Sequence, residues 1–175
     1  NYHRAGDRAP VVLLHGSGPG VSAWANWRLT LPALAERLTV YAPDLVGFGF
    51  TERPTGAAYG LELWREHLLG FVDALGLALS VATSVPERVD RLVLMGAVGV
   101  PFEITEGLDR VWGYQPSLAS MRSLLDLFAY DRGLVNDELA QLRYAASVRP
   151  GFQESFSAMF PAPRQQWVDA MVVPE

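Results

Sequence analysis

An α/β fold with a parallel-type sheet is what this chain predicts, on three observations. Short apolar runs alternate with segments of helical periodicity across residues 1–100. Each of the three apolar runs passes directly into glycine, as a buried strand does when it leaves a sheet edge. Past residue 100 the strand signal stops and helical spacing continues to the last residues given.

The elements follow in order. "PVVLLHG" (10–16) is short, β-rich and ended by glycine, and reads as a buried strand. "SAWANWRLTLPALAERL" (22–38) spaces Trp24, Trp27, Leu31, Leu34 and Leu38 along one helical face, broken near Pro32. "LTVYAPDLVGFGF" (38–50) is a second buried strand running into a turn with Asp44, Gly47 and Gly49. "LELWREHLLGFVDALGL" (61–77) sets Trp64, Leu68, Phe71 and Leu75 at helical spacing, with Gly76 as its C-cap. "RVDRLVLMGAVG" (88–99) is the third buried strand. Strands separated by helices give parallel pairing with right-handed crossovers.

The remainder is helical. "PSLASMRSLLDLFAY" (116–130) puts Leu118, Met121, Leu125 and Phe128 on one face. "NDELAQLRYAASV" (136–148) opens with Asn136 as N-cap and acidic residues in its first turn, and stops before Pro150-Gly151. Two short amphipathic helices follow in "GFQESFSAMF" and "PRQQWVDAM". The division expected is a partial α/β core over 1–100 and a helical lid over 101–175.

Composition narrows the function classes. Half of the 175 residues are hydrophobic and the formal net charge is -5 without a basic block, which argues against nucleic acid. The apolar runs are too short and too broken by glycine to span a bilayer. No charged-then-apolar leader opens the residues given, so a cytoplasmic protein is expected. Zero cysteines exclude thiolate ligands, and His3, His15 and His67 form no short metal motif. No metal and no organic cofactor is expected.

The loop "HGSGPG" (15–20) is the first candidate site. Its backbone N–H groups attract an oxyanion, but Pro19 removes a donor that a pyrophosphate would use, and the dinucleotide spacing is not met. On the residues alone, a tight strand-to-helix turn and an oxyanion site are equally good readings. His15 reads as a scaffold residue bonded to nearby backbone, His67 as a solvated surface residue, and Asp44 as a turn residue. Asn26, between two tryptophans, offers an amide to an apolar surface. Arg143 falls on the apolar side of its helix, where a guanidinium needs an anionic partner or an exit to water. A structural salt bridge and an anion site are both open for it.

"LLHGSGPGVSAWANW", "YAPDLVGFGFTERP", "PERVDRLVLMGAVGVPFE" and "LLDLFAYDRGLVNDELAQLRYAASVRPGFQESF" together resemble the α/β-hydrolase superfamily. Within it they resemble the meta-cleavage product hydrolases, which split carbon–carbon bonds in ring-fission products, and the branch acting on products of alkylbenzenes. The resemblance implies a 2-hydroxy-6-oxo-dienoate substrate cleaved at C5–C6 in aromatic degradation. It implies an oxyanion hole with the Ser17 backbone N–H as donor, supported by Gly16 and Gly18. Asn26 and Arg143 would bind the substrate carboxylate. Trp112, Phe128, Phe156 and Phe160 would line the pocket for the substituent end, or equally pack as plain helical core. A homo-oligomer is left open.

One part of the family pattern is missing. No G-x-S-x-G elbow occurs between "FVDALGL" and "DRLVLMG", and Ser80 and Ser84 lack the flanking glycines that an elbow needs. The triad serine, acid and histidine are absent from the residues given, as are the elbow strand and the C-terminal strands. A break in the numbering is expected near residues 77–78, because a sheet without a central strand leaves backbone groups unpaired. The alternatives are a serine esterase or dehalogenase on this fold, or a non-catalytic binding remnant.

Overall fold

The computed structural model describes residues 1–75 and 101–172. The third strand expected at 88–99, the Gly76 cap and the break expected near 77–78 lie outside those residues.

The described sheet has three strands in the order β1-β3-β2. β1 (Tyr2–Ala5) runs antiparallel to β3 (Thr39–Pro43), pairing Tyr2 with Pro43 and Ala5 with Val40. β2 (Pro10–Val12) runs parallel to β3, pairing Pro10 with Thr39 and Val12 with Tyr41. Flanked on both sides, β3 buries Val40 and Ala42 completely. Two sequence expectations change here. β1 was not anticipated, because four residues with alternating exposure carry little apolar signal. β2 is shorter than the apolar run suggests, although the Leu13 N–H still donates to the Tyr41 carbonyl at 2.8 Å.

Between β2 and β3 the periodic stretch forms two short helices, α1 (Ala23–Trp27) and α2 (Leu31–Ala35). The break precedes Pro32, which lies in the first turn of α2, where its missing N–H costs no hydrogen bond. Trp24 is 48% exposed, so the expected single apolar face is not buried along its length. α3 (Leu61–Leu75) follows, with Leu68 buried. His67 is a correction as well: it is half-buried, its Nδ1 has no partner among the described residues, and burial lowers its pKa.

Residues 101–172 contain no strand among those described. α4 (Glu106–Trp112), α5 (Leu118–Phe128), a 3-10 turn (Arg132–Leu134), α6 (Asp137–Ser147), α7 (Phe152–Met159) and α8 (Gln165–Ala170) make up the segment. The Asn136 side chain caps α6, accepting from the Leu139 N–H at 2.8 Å, with Asp137 and Glu138 in the first turn as expected. On α5 the buried residues are Met121, Leu124 and Leu125, while Leu118 and Phe128 at the ends are exposed.

Aromatic rings join the two parts. His15 meets Phe48 edge-on at 5.2 Å, Phe48 reaches Trp64 at 5.9 Å, and Trp64 reaches Phe160 at 6.1 Å. Phe160 stacks on Trp112 at 4.4 Å and takes the edge of Phe156 at 5.7 Å. Each such pair adds about 0.5–1.5 kcal/mol beyond its area. The continuous row fixes the helices against the loop that leaves β2.

Candidate active site

β2 runs into the loop 13–20, and His15 anchors it from the core side. The ring is 6% exposed; the Leu45 N–H donates to Nε2 at 3.0 Å, and Nδ1 lies 2.7 Å from the Gly16 carbonyl oxygen. Because Nε2 accepts, the ring is neutral and its one proton sits on Nδ1, donating to Gly16. Burial lowers the His15 pKa in agreement with that state. His15 is the scaffold residue that the sequence suggested.

That hydrogen bond has a consequence for Ser17. The Gly16 carbonyl and the Ser17 N–H belong to one planar peptide and point in opposite directions when it is trans. Holding the carbonyl toward His15 therefore turns the Ser17 N–H away from the core. Among the described residues no acceptor takes that N–H.

Helices approach the same loop from the other side. Trp112, at the end of α4, donates from Nε1 to Ser17 Oγ at 3.2 Å. Arg143, on α6, donates from Nη2 to the Pro19 carbonyl at 3.2 Å. A Cβ at Gly18 would stand 3.2 Å from that Nη2 and 4.0 Å from Phe128 Cζ. At Gly20, where φ is +66°, a Cβ would overlap the Arg143 carbonyl, so only glycine lets α6 seat this closely.

Arg143 has no ion-pair partner among the described residues. Its Nε is buried without a partner among the described residues. Burial, with the nearby positive charge of Arg28 adding to it, pushes its pKa down to about 10. Sequence reasoning overlooked Arg28; its place two residues after Asn26 was the available signal. Asn26 itself is exposed on α1.

The other predicted residues separate into two groups. Trp112, Phe156 and Phe160 are 2%, 1% and 2% exposed and belong to the apolar core, whereas Phe128 is 55% exposed beside Gly18. Phe160 also lines an apolar cavity of about 60 Å³ with Trp64 and Met159. A groove of about 580 Å³ between α4 and α5 is lined by Asp109, Tyr114, Ser120 and Arg164 and holds none of the predicted site residues. Asp44, fully buried, is the turn residue expected: its carboxylate accepts from the Ala23 and Phe50 N–H groups at 2.6 and 2.9 Å.

The histidines set a pH dependence. His15 and His67 both have pKa values below the ordinary 6.5, so below that pH the unfolded chain binds more protons than the folded one. Stability is then present above pH 6.5 and is lost as pH falls from there toward the folded-state values. Urea midpoints should drop between pH 6.5 and 5, before most carboxylates titrate. A flat midpoint across that interval contradicts the neutral, buried His15.

The model for the alpha/beta hydrolase family matches residues 11–174. A 2-hydroxy-6-oxo-2,4-heptadienoate hydrolase of Pseudomonas putida is 60% identical over 185 residues, covering 98% of this chain and 67% of the relative. A 2-hydroxymuconate semialdehyde hydrolase of Pseudomonas sp. strain CF600 is 58% identical over 189 residues, covering all of this chain and 67% of the relative. A meta-cleavage product hydrolase of Pseudomonas fluorescens IP01, solved as a mutant with acetates, superimposes with a TM-score of 0.94 at 57% identity. That match covers 99% of this chain and 69% of the solved one. The 189 aligned positions exceed the 175 residues here by 14, so the CF600 relative has at least 14 residues without a counterpart inside the matched span. Fourteen residues suffice for one strand of ordinary length and a turn.

Proposed function

The chain belongs to the α/β-hydrolase family, and from that premise we propose that it is the core and lid portion of a carbon–carbon bond hydrolase acting on 2-hydroxy-6-oxo-dienoates. The substrate class is that named for relatives at 53–60% identity. The observation that carries the reading is the meeting, on one glycine-rich loop, of a Ser17 N–H that has no acceptor among the described residues and the Arg143 guanidinium.

The division of labour follows from charge. Arg143, with Arg28 nearby, supplies positive potential for the dienoate carboxylate, and Asn26, exposed on α1, would add an amide. Held there, the dienol takes up its keto form, which makes C5 a leaving carbon that can carry the electron pair. A serine or water, activated by a histidine, adds to the C6 ketone. The oxygen of that ketone becomes an oxyanion and meets the Ser17 N–H; one such donor is worth roughly 3–4 kcal/mol of barrier. The C5–C6 bond then breaks, water supplies OH to the acyl carbon and a proton to the released fragment, and a carboxylic acid and a 2-hydroxypentadienoate result. The serine, acid and histidine of this scheme are not provided by any motif in the 175 residues. Phe128 suits the substituent end, since it is exposed beside Gly18. We assign residues 101–172 as the lid, and the cytoplasm as the compartment.

Turnover distinguishes this reading from an esterase. The coloured dienoate should bleach at a rate at least tenfold above hydrolysis of a p-nitrophenyl ester. The reverse order would move the assignment to ester hydrolysis on the same fold. The missing elbow favours a second reading, a protein that binds dienoates without turnover. An intact mass of 19.2 kDa together with saturable dienoate binding and no bleaching would establish it.

A further inference from the structure

Ser17 is flanked by two glycines, and a Cβ at Gly16 would meet nothing within 4 Å. No side chain therefore packs on the Gly16 side of the peptides around Ser17, while Arg143 and Val21 close on Gly18. Only two hydrogen bonds of the described residues hold them: His15 on the Gly16 carbonyl, and the Trp112 indole on Ser17 Oγ. The indole is a rigid donor. It is 2% exposed, and its ring lies parallel to Phe160 within 4° at 4.4 Å. Phe160 is held in turn by Phe156 and Trp64. An N–H fixed this firmly leaves the hydroxyl of a mobile loop residue little choice of position.

We propose that Trp112 is a positioning residue for the Ser17 amide: its indole fixes Ser17 from the helical side, so the donor is aligned only while α4 stands on the loop. His15 sets the plane of the peptide before Ser17, and Trp112 sets the residue that follows that peptide. The proposal rests on the reading of Ser17 as the oxyanion donor. It adds that the donor is assembled from both sides of the loop, by the adjoining His15 and by a residue 95 positions from Ser17. Trp112 would then act on catalysis without touching the reacting atoms.

The test uses the ¹⁵N-labelled full chain, and its first arm needs no ligand. Trp112→Phe keeps an aromatic ring beside Phe160 and removes the indole N–H together with part of the ring system. The amide order parameter at position 17 should fall from about 0.85 to below about 0.6. Ser17→Ala removes the acceptor without touching the core and should give the same loss at that position. The double variant should lose nothing more. A thermal midpoint that falls in Trp112→Phe while the order parameter at Ser17 stays at its wild-type value overturns the proposal, as does any outcome leaving that value unchanged. If Trp112→Phe fails to fold, Ser17→Ala alone decides.

The second arm titrates sodium acetate, the anion with which a relative was solved. The wild-type Ser17 amide should shift saturably, and the acetate affinity should drop about tenfold in either single variant. A wild-type Ser17 amide indifferent to acetate refutes the oxyanion reading, while the first arm still judges Trp112 independently.

Discussion

Replacing Asp44 by alanine should cost about 3 kcal/mol of unfolding free energy, since the buried Ala23 N–H would lose its partner at about 1–3 kcal/mol while the part-buried Phe50 N–H and Asn1 amide would lose a charged acceptor. The carboxylate is fully buried and its oxygens are fully used. Oδ1 accepts from the Ala23 N–H at 2.6 Å, and Oδ2 accepts from the Phe50 N–H at 2.9 Å and the Asn1 side-chain amide at 2.7 Å. Ala23 opens α1, so the charge also sits against that helix's N-terminus. Gly49, at φ +50°, packs onto the carboxylate so closely that a Cβ would overlap it. Asp44→Asn should cost less, because one oxygen remains, but its NH2 would face an N–H donor. Urea unfolding of the three proteins gives the order wild type, Asn, Ala. A loss under about 1 kcal/mol for alanine, the scale of an exposed cap, would mean that the Ala23 N–H finds another partner once the carboxylate is gone. The effect reaches the site through Leu45, whose N–H holds His15 Nε2 and directly follows Asp44.

The example shows where the sequence was legible and where it was not. Local rules read well: Asn136 caps α6, and Pro150-Gly151 ends it, because both act within a few residues of themselves. The H-G-S-G-P-G loop was legible as the turn that leaves β2, and its backbone and its resemblance to a family made it the candidate oxyanion site. What supports it was not legible. Trp112 and Ser17 are 95 residues apart, Arg143 and Pro19 are 124, and no periodicity connects them. The helical spacing of α5 put Phe128 with the core, yet the helix end leaves it at the loop, where the 3.6-residue period says nothing about which neighbour arrives. β1 was missed because an edge strand can alternate exposed and half-buried residues without a strong apolar run. In each case a long-range contact overrode, or simply supplied, what local pattern could not.

Arg143→Met should separate stability from binding, moving them in opposite directions. Affinity for the dienoate, followed by tryptophan fluorescence, should fall about 30–100-fold, the value of a hydrogen-bonded charge at about 2–3 kcal/mol. The unfolding free energy should stay level or rise by about 1 kcal/mol, since an unpaired enclosed charge gives way to an apolar chain of similar length. The reason lies in what Arg143 lacks. Its Nη2 meets only a neutral carbonyl, its Nε meets nothing among the described residues, and Arg28 repels it. Burial has already pushed its pKa down to about 10, which leaves it charged at neutral pH with no counter-charge among the described residues. Under the proposed function a ligand carboxylate supplies that partner, and a fork of two N–H donors suits it better than a single ammonium. Arg143→Lys should therefore recover only part of the affinity. A structural salt bridge predicts the opposite pattern, with stability lost in Arg143→Met and dienoate affinity unchanged. That result would remove the carboxylate from Arg143 and leave the loop with the Ser17 amide alone.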